Sequence, residues 1–182
     1  MERNGVPRLQ TARLRLREWR AADVDTYALM TADPEVMRYT GGVMDREQSW
    51  RSMALHAGHW TLRGYGNWVV ERSSDGEFLG RVGLWCPEGW LGLEIGWTLA
   101  RHTWGNGYAT EAAGAAMHWA WTVLNAPRLI SVIDPDNTAS MRVAERLGMA
   151  WSRSEELRGQ SVSIFGIEQP PDPTRSPASE SS

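Results

Sequence analysis

Lysine is absent from the 182-residue sequence, so all 19 basic residues are arginine. This absence excludes Schiff-base chemistry on a lysine and a phosphate-binding loop of the Walker type, which contains a lysine. Cysteine occurs once, at Cys86. A single cysteine excludes an internal disulfide framework and a cysteine-built metal cluster, and no metal site is predicted.

Excess basic charge and long apolar runs are also missing. The formal net charge is −3 at pH 7, whereas a nucleic-acid-binding face is typically basic. No apolar run approaches the roughly 18 residues of a membrane span. The arginine-rich N-terminus has no apolar signal core. We therefore expect a cytoplasmic protein with neither nucleic acid nor membrane as a partner.

The pattern along the chain predicts one mixed α/β sheet, with element order β-α-α-β-β-β-α-β-α-β-β, and not a doubly wound sheet. Alternating leucines and arginines predict a strand over Leu9–Glu18. One helix is predicted from Asp45 to Gly64, with Asp45 or Ser49 as its cap, and another from Gly107 to Leu124. Ser73-Ser74-Asp75-Gly76 predicts a hairpin turn. We assign the domain to residues 8–169 and expect disorder in the proline- and serine-rich tail, residues 170–182.

A short segment, Gly105-Asn106-Gly107, lies between an extended run and an alanine-rich helix. A Rossmann fingerprint needs a third glycine, where Thr110 stands. This segment could be a tight turn with small residues that let the helix pack closely, with no ligand bound. However, only Asn106 is available to cap the helix, so the N–H groups of its first turn could bind a pyrophosphate.

Two stretches carry a resemblance to a known family. "EIGWTLARHTWGNGYATEA", residues 94–112, resembles the acetyl-CoA motif of the GCN5-related N-acetyltransferase (GNAT) family. It is most similar to the branch containing ribosomal-protein N-terminal (alanine or serine) acetyltransferases. Trp104 stands where the family pattern has Gln or Arg, a change usual in this branch. "NTASMRVAERLGM", residues 137–149, is similar to the family's Asn-x-x-Ser/Ala helix. The resemblance covers residues 8–168 and implies a single-domain GNAT fold with a mixed, mostly antiparallel sheet.

The resemblance implies an acyltransferase that moves an acetyl group from acetyl-CoA to a primary amine by direct attack. Direct transfer needs no enzyme nucleophile, and the sequence offers no Ser-His-Asp or Cys-His set. The backbone from Trp104 to Thr110 would then bind the pyrophosphate, while Asn137 and the strand before the loop would bind the pantetheine arm. The implied cosubstrate-binding residues are Trp97, Thr98, Leu99, Trp104, Gly105, Asn106, Gly107, Tyr108, Ala109, Thr110, Asn137 and Ser140.

Two residues are candidate catalytic groups. Glu94 matches the family's strand glutamate, and its apolar neighbours predict a raised pKa and a role as general base. A structural pairing of Glu94 with an arginine is the alternative. Ser140 matches a serine that would hydrogen-bond the CoA sulfur, but Asn137 could equally cap the helix with Ser140 at its third position. The tyrosine that many members use as an acid is replaced by Ala144.

The acceptor is left open, as a protein N-terminus or a small-molecule amine. Trp50, Trp60 and Trp90 are candidates for lining its cleft. His56 and His59 lie three residues apart, and we expect them to pack and not to bind metal. A catalytically silent acyl-CoA-binding module and a protein that binds another nucleotide are the alternative functions, and a monomer or homodimer is expected.

Overall fold

A turn divides the N-terminal part of the chain into two strands. The computed structural model describes residues 5–170. Strand β1 is limited to Leu9–Gln10 and β2 to Leu14–Arg17, where the sequence predicts one strand. The Thr11 hydroxyl accepts a hydrogen bond from the Leu14 N–H at 2.9 Å, and the Thr11 N–H donates to the Leu14 carbonyl at 2.9 Å. These two bonds close the turn that separates the strands.

The remaining elements follow the predicted order, with one short α-helix, α2, and two single 3-10 turns added. Helix α2 was not predicted, although Asp33 caps it and Pro34 occupies its first turn, a recognisable start signal. The bounds are α1 (Val24–Thr31), α2 (Pro34–Met37), α3 (Arg46–Arg63), β3 (Asn67–Arg72), β4 (Phe78–Trp85), β5 (Glu94–Leu99), α4 (Tyr108–Thr122), β6 (Arg128–Ile133), α5 (Thr138–Arg146), β7 (Ala150–Leu157) and β8 (Gln160–Glu168).

The boundaries of α3 and of the β3–β4 hairpin agree with the sequence signals. Asp45 caps α3 by accepting from the Gln48 N–H, and Gly64 ends the helix in the left-handed conformation at φ 75°. Left-handed backbone favours glycine, since it has no Cβ to clash. At the hairpin, the Gly76 N–H donates to the Arg72 carbonyl at 2.9 Å.

The eight strands within residues 5–170 form one sheet, in the order β1-β2-β3-β4-β5-β6-β8-β7. Every neighbouring pair is antiparallel except β5 and β6. The predicted mixed, mostly antiparallel sheet is therefore confirmed. The domain boundary is not tested, and residues 171–182 of the predicted tail lie outside the described residues.

The core lies on both faces of the sheet. Leucine, valine and tryptophan side chains of β2–β5 pack under α4, where the small face of Ala112, Ala113 and Ala116 is fully buried. A second cluster, including Tyr27, Met53 and Val69, joins α1 and α3 to the opposite face. Within residues 5–170, no helix is both long enough and apolar enough to cross a membrane.

Candidate active site

The sheet opens between β5 and β6. Only one residue pair, Glu94 with Ile130, is in register between these parallel strands. The Ser131 hydroxyl donates to the Ile95 carbonyl at 2.7 Å, so this carbonyl points toward β6. Alternate residues of a strand direct their backbone groups to the same side. The N–H and C=O of Trp97 therefore point into the opening, whereas those of Thr98 point toward β4.

The last carbonyl of β5 is hydrogen-bonded by a tryptophan side chain. Trp104 donates its Nε1–H to the Leu99 carbonyl at 2.8 Å. Of the three residues predicted to pair with a pantetheine arm, Trp97 is thus the one whose carbonyl faces the opening without this internal contact. A ligand lying along β5 would meet Trp97 first and the Trp104 ring next.

The first turn of α4 is not capped by a side chain of the described residues, 5–170. Its N-cap residue is Gly107, at φ 78°, and no side chain in that range accepts a hydrogen bond from the first turn. The sequence offered Asn106 as the cap of this helix, but its side chain does not cap it. The Asn106 side-chain amide instead donates to the Thr103 and Trp104 carbonyls at 3.0 and 3.1 Å. Asn106 therefore braces the loop, and the N–H groups of the first turn of α4 point outward from the helix end.

A polar network fixes this loop to the N-terminal strands. Glu111 accepts from the Thr11 hydroxyl at 2.5 Å, from the Arg13 N–H at 3.0 Å and from the Arg13 guanidinium at 2.7 Å. Arg13 also donates to the Asn106 carbonyl at 3.0 Å. Partial burial opposes ionisation of Glu111, but the hydrogen bonds from Thr11 and Arg13 lower its pKa overall. The turn at Thr11 thus positions the loop before α4.

A cavity of about 790 Å³ lies between the open edge of β5, the N-terminus of α4 and α5. It gathers nearly all the residues predicted to bind the cosubstrate, although Asn106 does not line it. The predicted residues that do are Trp97, Thr98, Leu99, Trp104, Gly105, Gly107, Tyr108, Ala109, Thr110, Asn137 and Ser140.

A second cavity, of about 110 Å³, contains Glu94 and shares Trp97, Asn137 and Ser140 with the larger one. Trp90 donates its indole N–H to Glu94 Oε2 at 2.7 Å. Burial raises the pKa of Glu94 to about 7, opposed by hydrogen bonds from Trp90 and the Val132 backbone and by the charge of Arg81. No arginine within residues 5–170 approaches the Glu94 carboxylate to ion-pair distance.

Asn137 and Ser140 stand where the two cavities meet. The Asn137 side chain caps α5 by accepting from the Ser140 N–H at 3.1 Å. The Ser140 hydroxyl is not used in this cap; it accepts from the Trp97 indole at 3.3 Å. Its own O–H hydrogen can therefore be donated to another group. Ala144, where many family members have tyrosine, is fully buried.

Several lining residues could not be recognised in the sequence. Glu35, Val36, Arg38, Tyr39 and Thr40 reach the large cavity because α2 and the segment after it cross the end of β5. No local sequence pattern predicts that placement. On α5, in contrast, helical spacing predicts that one face is shared by four residues that all line the cavity: Ala139, Arg142, Val143 and Arg146.

The three tryptophans proposed for an acceptor cleft have different environments. Trp90 contacts Glu94, as described above. Trp60 instead packs in the core, 4.7 Å from Trp68 and 5.7 Å from Trp119 between ring centroids. Trp50 is 54% exposed on α3 and lines neither cavity. The sequence alone did not show which of these tryptophans lies beside the site, which lies in the core and which is exposed.

The chain matches the Acetyltransferase (GNAT) domain family over residues 13–150. The uncharacterized protein YkkB of Bacillus subtilis is 36% identical over 171 residues, covering 89% of this chain and 96% of YkkB. The crystal structure of an acetyltransferase from Agrobacterium tumefaciens has a TM-score of 0.83 and 30% identity, covering 93% of this chain and 98% of that chain. The chain therefore belongs to the GNAT acetyltransferase family, as its two motifs predicted.

A more distant structure shares the fold alone. RimL, a ribosomal L7/L12 alpha-N-protein acetyltransferase solved in complex with coenzyme A, has a TM-score of 0.72 at 19% identity. The likeness covers 87% of this chain and 95% of RimL.

Proposed function

We propose that this chain transfers an acetyl group from acetyl-CoA to a primary amine by direct attack, without a covalent enzyme intermediate. The observation that carries the proposal is the junction of the two cavities. A large one ends at the uncapped N-terminus of α4, and a small one contains the Glu94 carboxylate. Membership of the GNAT family and the coenzyme A bound to RimL support acetyl-CoA as the cosubstrate.

The large cavity suits the donor at both ends. Backbone N–H groups at the first turn of α4 favour an anion such as a pyrophosphate, and the helix dipole adds to this preference. The unpaired backbone of Trp97 offers hydrogen bonds to the amide groups of a pantetheine arm. When bound, acetyl-CoA supplies the thioester that the amine attacks. The protein holds that thioester beside the small cavity, where Glu94 lies.

Glu94 is the group that accepts a proton. An amine attacks through its lone pair, so a proton must leave the nitrogen as the C–N bond forms. With a pKa of about 7, Glu94 is part carboxylate at neutral pH and close to the best basicity for a general base. The Ser140 hydroxyl can donate a hydrogen bond to the sulfur as the C–S bond breaks, which stabilises the departing thiolate until it takes a proton from solvent. This hydrogen bond takes over part of the role of the tyrosine that Ala144 replaces.

The test measures thiol release from acetyl-CoA by the full chain with a panel of primary amines. We expect Glu94→Gln to lower kcat/KM by about 100-fold or more, the usual scale for a lost general base. The wild-type rate should rise as pH increases through about 7, because deprotonation of Glu94 creates the base. With the same amine, Glu94→Gln should keep the rise that comes from deprotonation of the amine itself but should lack the inflection near pH 7.

Glu47→Gln is the matched control, since Glu47 lies on α3 with its side chain 73% exposed and lines neither cavity. It should keep the wild-type rate and pH profile. If Glu94→Gln matched the wild type in both, Glu94 would be removed from the mechanism.

A catalytically silent acyl-CoA-binding module is the second candidate, favoured by one observation. The position of the family's acid tyrosine is the buried Ala144, so no phenol can protonate a thiolate there. In that case acetyl-CoA would bind and no amine of the panel would release its thiol. Thiol release that is lost in Glu94→Gln would exclude the silent binding module and support the acetyltransferase.

A further inference from the structure

Arg81 is a guanidinium in the small cavity with Glu94. It lies on β4, opposite Thr98 of β5. The buried Asn67 orients it: the Asn67 amide N–H donates to the Leu84 carbonyl at 3.2 Å, leaving its oxygen to accept from Arg81 Nη1 at 2.8 Å. Arg81 is thus held in one place by a side chain that is itself fixed.

The other donors of Arg81 are not used by the described part of the chain. Its Nε is buried and has no hydrogen-bond partner within residues 5–170. No carboxylate in that range lies within ion-pair distance of its guanidinium.

Arg17 provides the contrast within the same sheet. Its side chain is 6% exposed and contacts Asp23 at 2.7 Å and Glu71 at 2.6 Å. Arg81 is half-buried, lines the small cavity and has no such carboxylate partner within residues 5–170. An anionic ligand in that cavity would supply the partner.

We propose that Arg81 binds a carboxylate of the acceptor, so that the acceptor is a small α-amino acid. This inference rests on the proposed acetyl transfer and names its acceptor class. The planar guanidinium fork matches a carboxylate. Because Glu94 and Arg81 line one cavity of only about 110 Å³, the amino group and the anion must be separated by few bonds. A polyamine would bring a further positive charge toward Arg81, and a peptide N-terminus has a neutral carbonyl in place of the carboxylate.

The experiment compares acceptors that differ only in charge. Thiol release from acetyl-CoA is measured with free amino acids, with the matching amino-acid amides and with spermidine. We expect the wild type to prefer at least one free amino acid over its amide in kcat/KM by about 10- to 100-fold, the scale of a charge-assisted hydrogen bond. Arg81→Gln should abolish that preference, and Arg81→Lys should retain part of it, because lysine keeps the charge but loses the fork.

Arg51→Gln is the matched control, because Arg51 is 70% exposed on α3 and lines neither cavity. It should keep the wild-type preference. A wild type that acetylates amides, peptides or spermidine as well as free amino acids would overturn the inference while leaving the proposed transferase intact. An equal loss on every acceptor in Arg81→Gln would also overturn it. The wild-type comparison stands even if that variant fails to fold. Absence of thiol release with every amine would instead overturn the proposed function.

Discussion

Ser140 uses its backbone and its hydroxyl group for different contacts. The N–H is held by the Asn137 cap, while the hydroxyl faces the junction of the cavities and accepts from Trp97. The two interpretations of the sequence, a helix cap and a hydrogen-bond donor to sulfur, are therefore compatible at this residue. Asn137 does the capping, which leaves the serine side chain for chemistry.

Ser140→Ala tests that division. The backbone cap should survive, so we expect a small change in the free energy of unfolding. The loss of a donor to a developing thiolate should lower kcat by about 10-fold or more, on the scale of a charge-assisted hydrogen bond. Ser154→Ala, at an exposed position of β7, is the control. Steady-state kinetics and denaturant unfolding measure both effects, and an unchanged kcat would exclude the proposed role.

Single residues differ in how far their roles could be predicted. Glu94 was a candidate because it matches the family's strand glutamate and is an acid among apolar strand residues. Its environment could be predicted, since burial raises its pKa to about 7, while its role stays a prediction. Arg81 could not be found, because "GRVG" does not reveal which partners its guanidinium lacks. A missing hydrogen bond is a property of the packed molecule and leaves no pattern in the chain.

At the scale of elements, the junction of β5 and α4 is the feature that we expect a single glycine substitution to disturb most. Gly105 and Gly107 both have φ 78°, a conformation that costs other residues about 1–2 kcal/mol. Gly107 also leaves the end of α4 uncovered, and a Cβ added to it would lie 3.7 Å from Arg13 Nη2. Glycine thus provides both the turn and the access to the helix N–H groups.

Gly107→Val should therefore weaken acetyl-CoA binding by at least about tenfold, since a branched side chain would cover those N–H groups. Gly64→Val is the matched control: Gly64 has φ 75° and open space around it, at the end of α3. Both variants should lose a similar free energy of unfolding, about 1–2 kcal/mol. Titration calorimetry with acetyl-CoA separates them, and an unchanged Kd for Gly107→Val would contradict the proposed role of the loop.

Elements could be predicted where their signals are local. The Asp45 cap and Gly64 stop of α3, and the Asp-Gly turn between β3 and β4, depend on neighbouring residues and were found. The break between β1 and β2 was not predicted, because the Thr11–Leu14 hydrogen bonds that form the turn lie inside a run of alternating leucines and arginines that is typical of one strand. The contact of the Thr11 hydroxyl with Glu111, 100 residues away, attaches this turn to α4 and leaves no periodic pattern in the sequence.

At the scale of the whole molecule, the sheet consists of two parts that meet at one parallel register. One part consists of the paired strands β1–β5 and the other of β6–β8. The residue pair in register between the two parts is Glu94 with Ile130. Beyond this pair β5 and β6 are not in register, and α4 and α5, which contact each other, both line the large cavity beside the opening. The mixed sheet could be predicted from the order of elements, but the size of the opening could not, because it depends on how two buried faces pack.

A ligand seated in this opening would contact β5, α4 and α5 at once, and so would oppose separation of the two parts. Acetyl-CoA at 100 times its Kd should add about 2.7 kcal/mol to the free energy of unfolding, which for a chain of this size raises Tm by several degrees. ATP and NAD should give little shift, because they lack the arm that runs along β5 to the second cavity. Differential scanning fluorimetry measures all three, with Gly107→Val as the variant in which the acetyl-CoA shift should shrink. Equal shifts with ATP or NAD would favour a general nucleotide-binding protein, since the pyrophosphate alone would then account for the stabilisation.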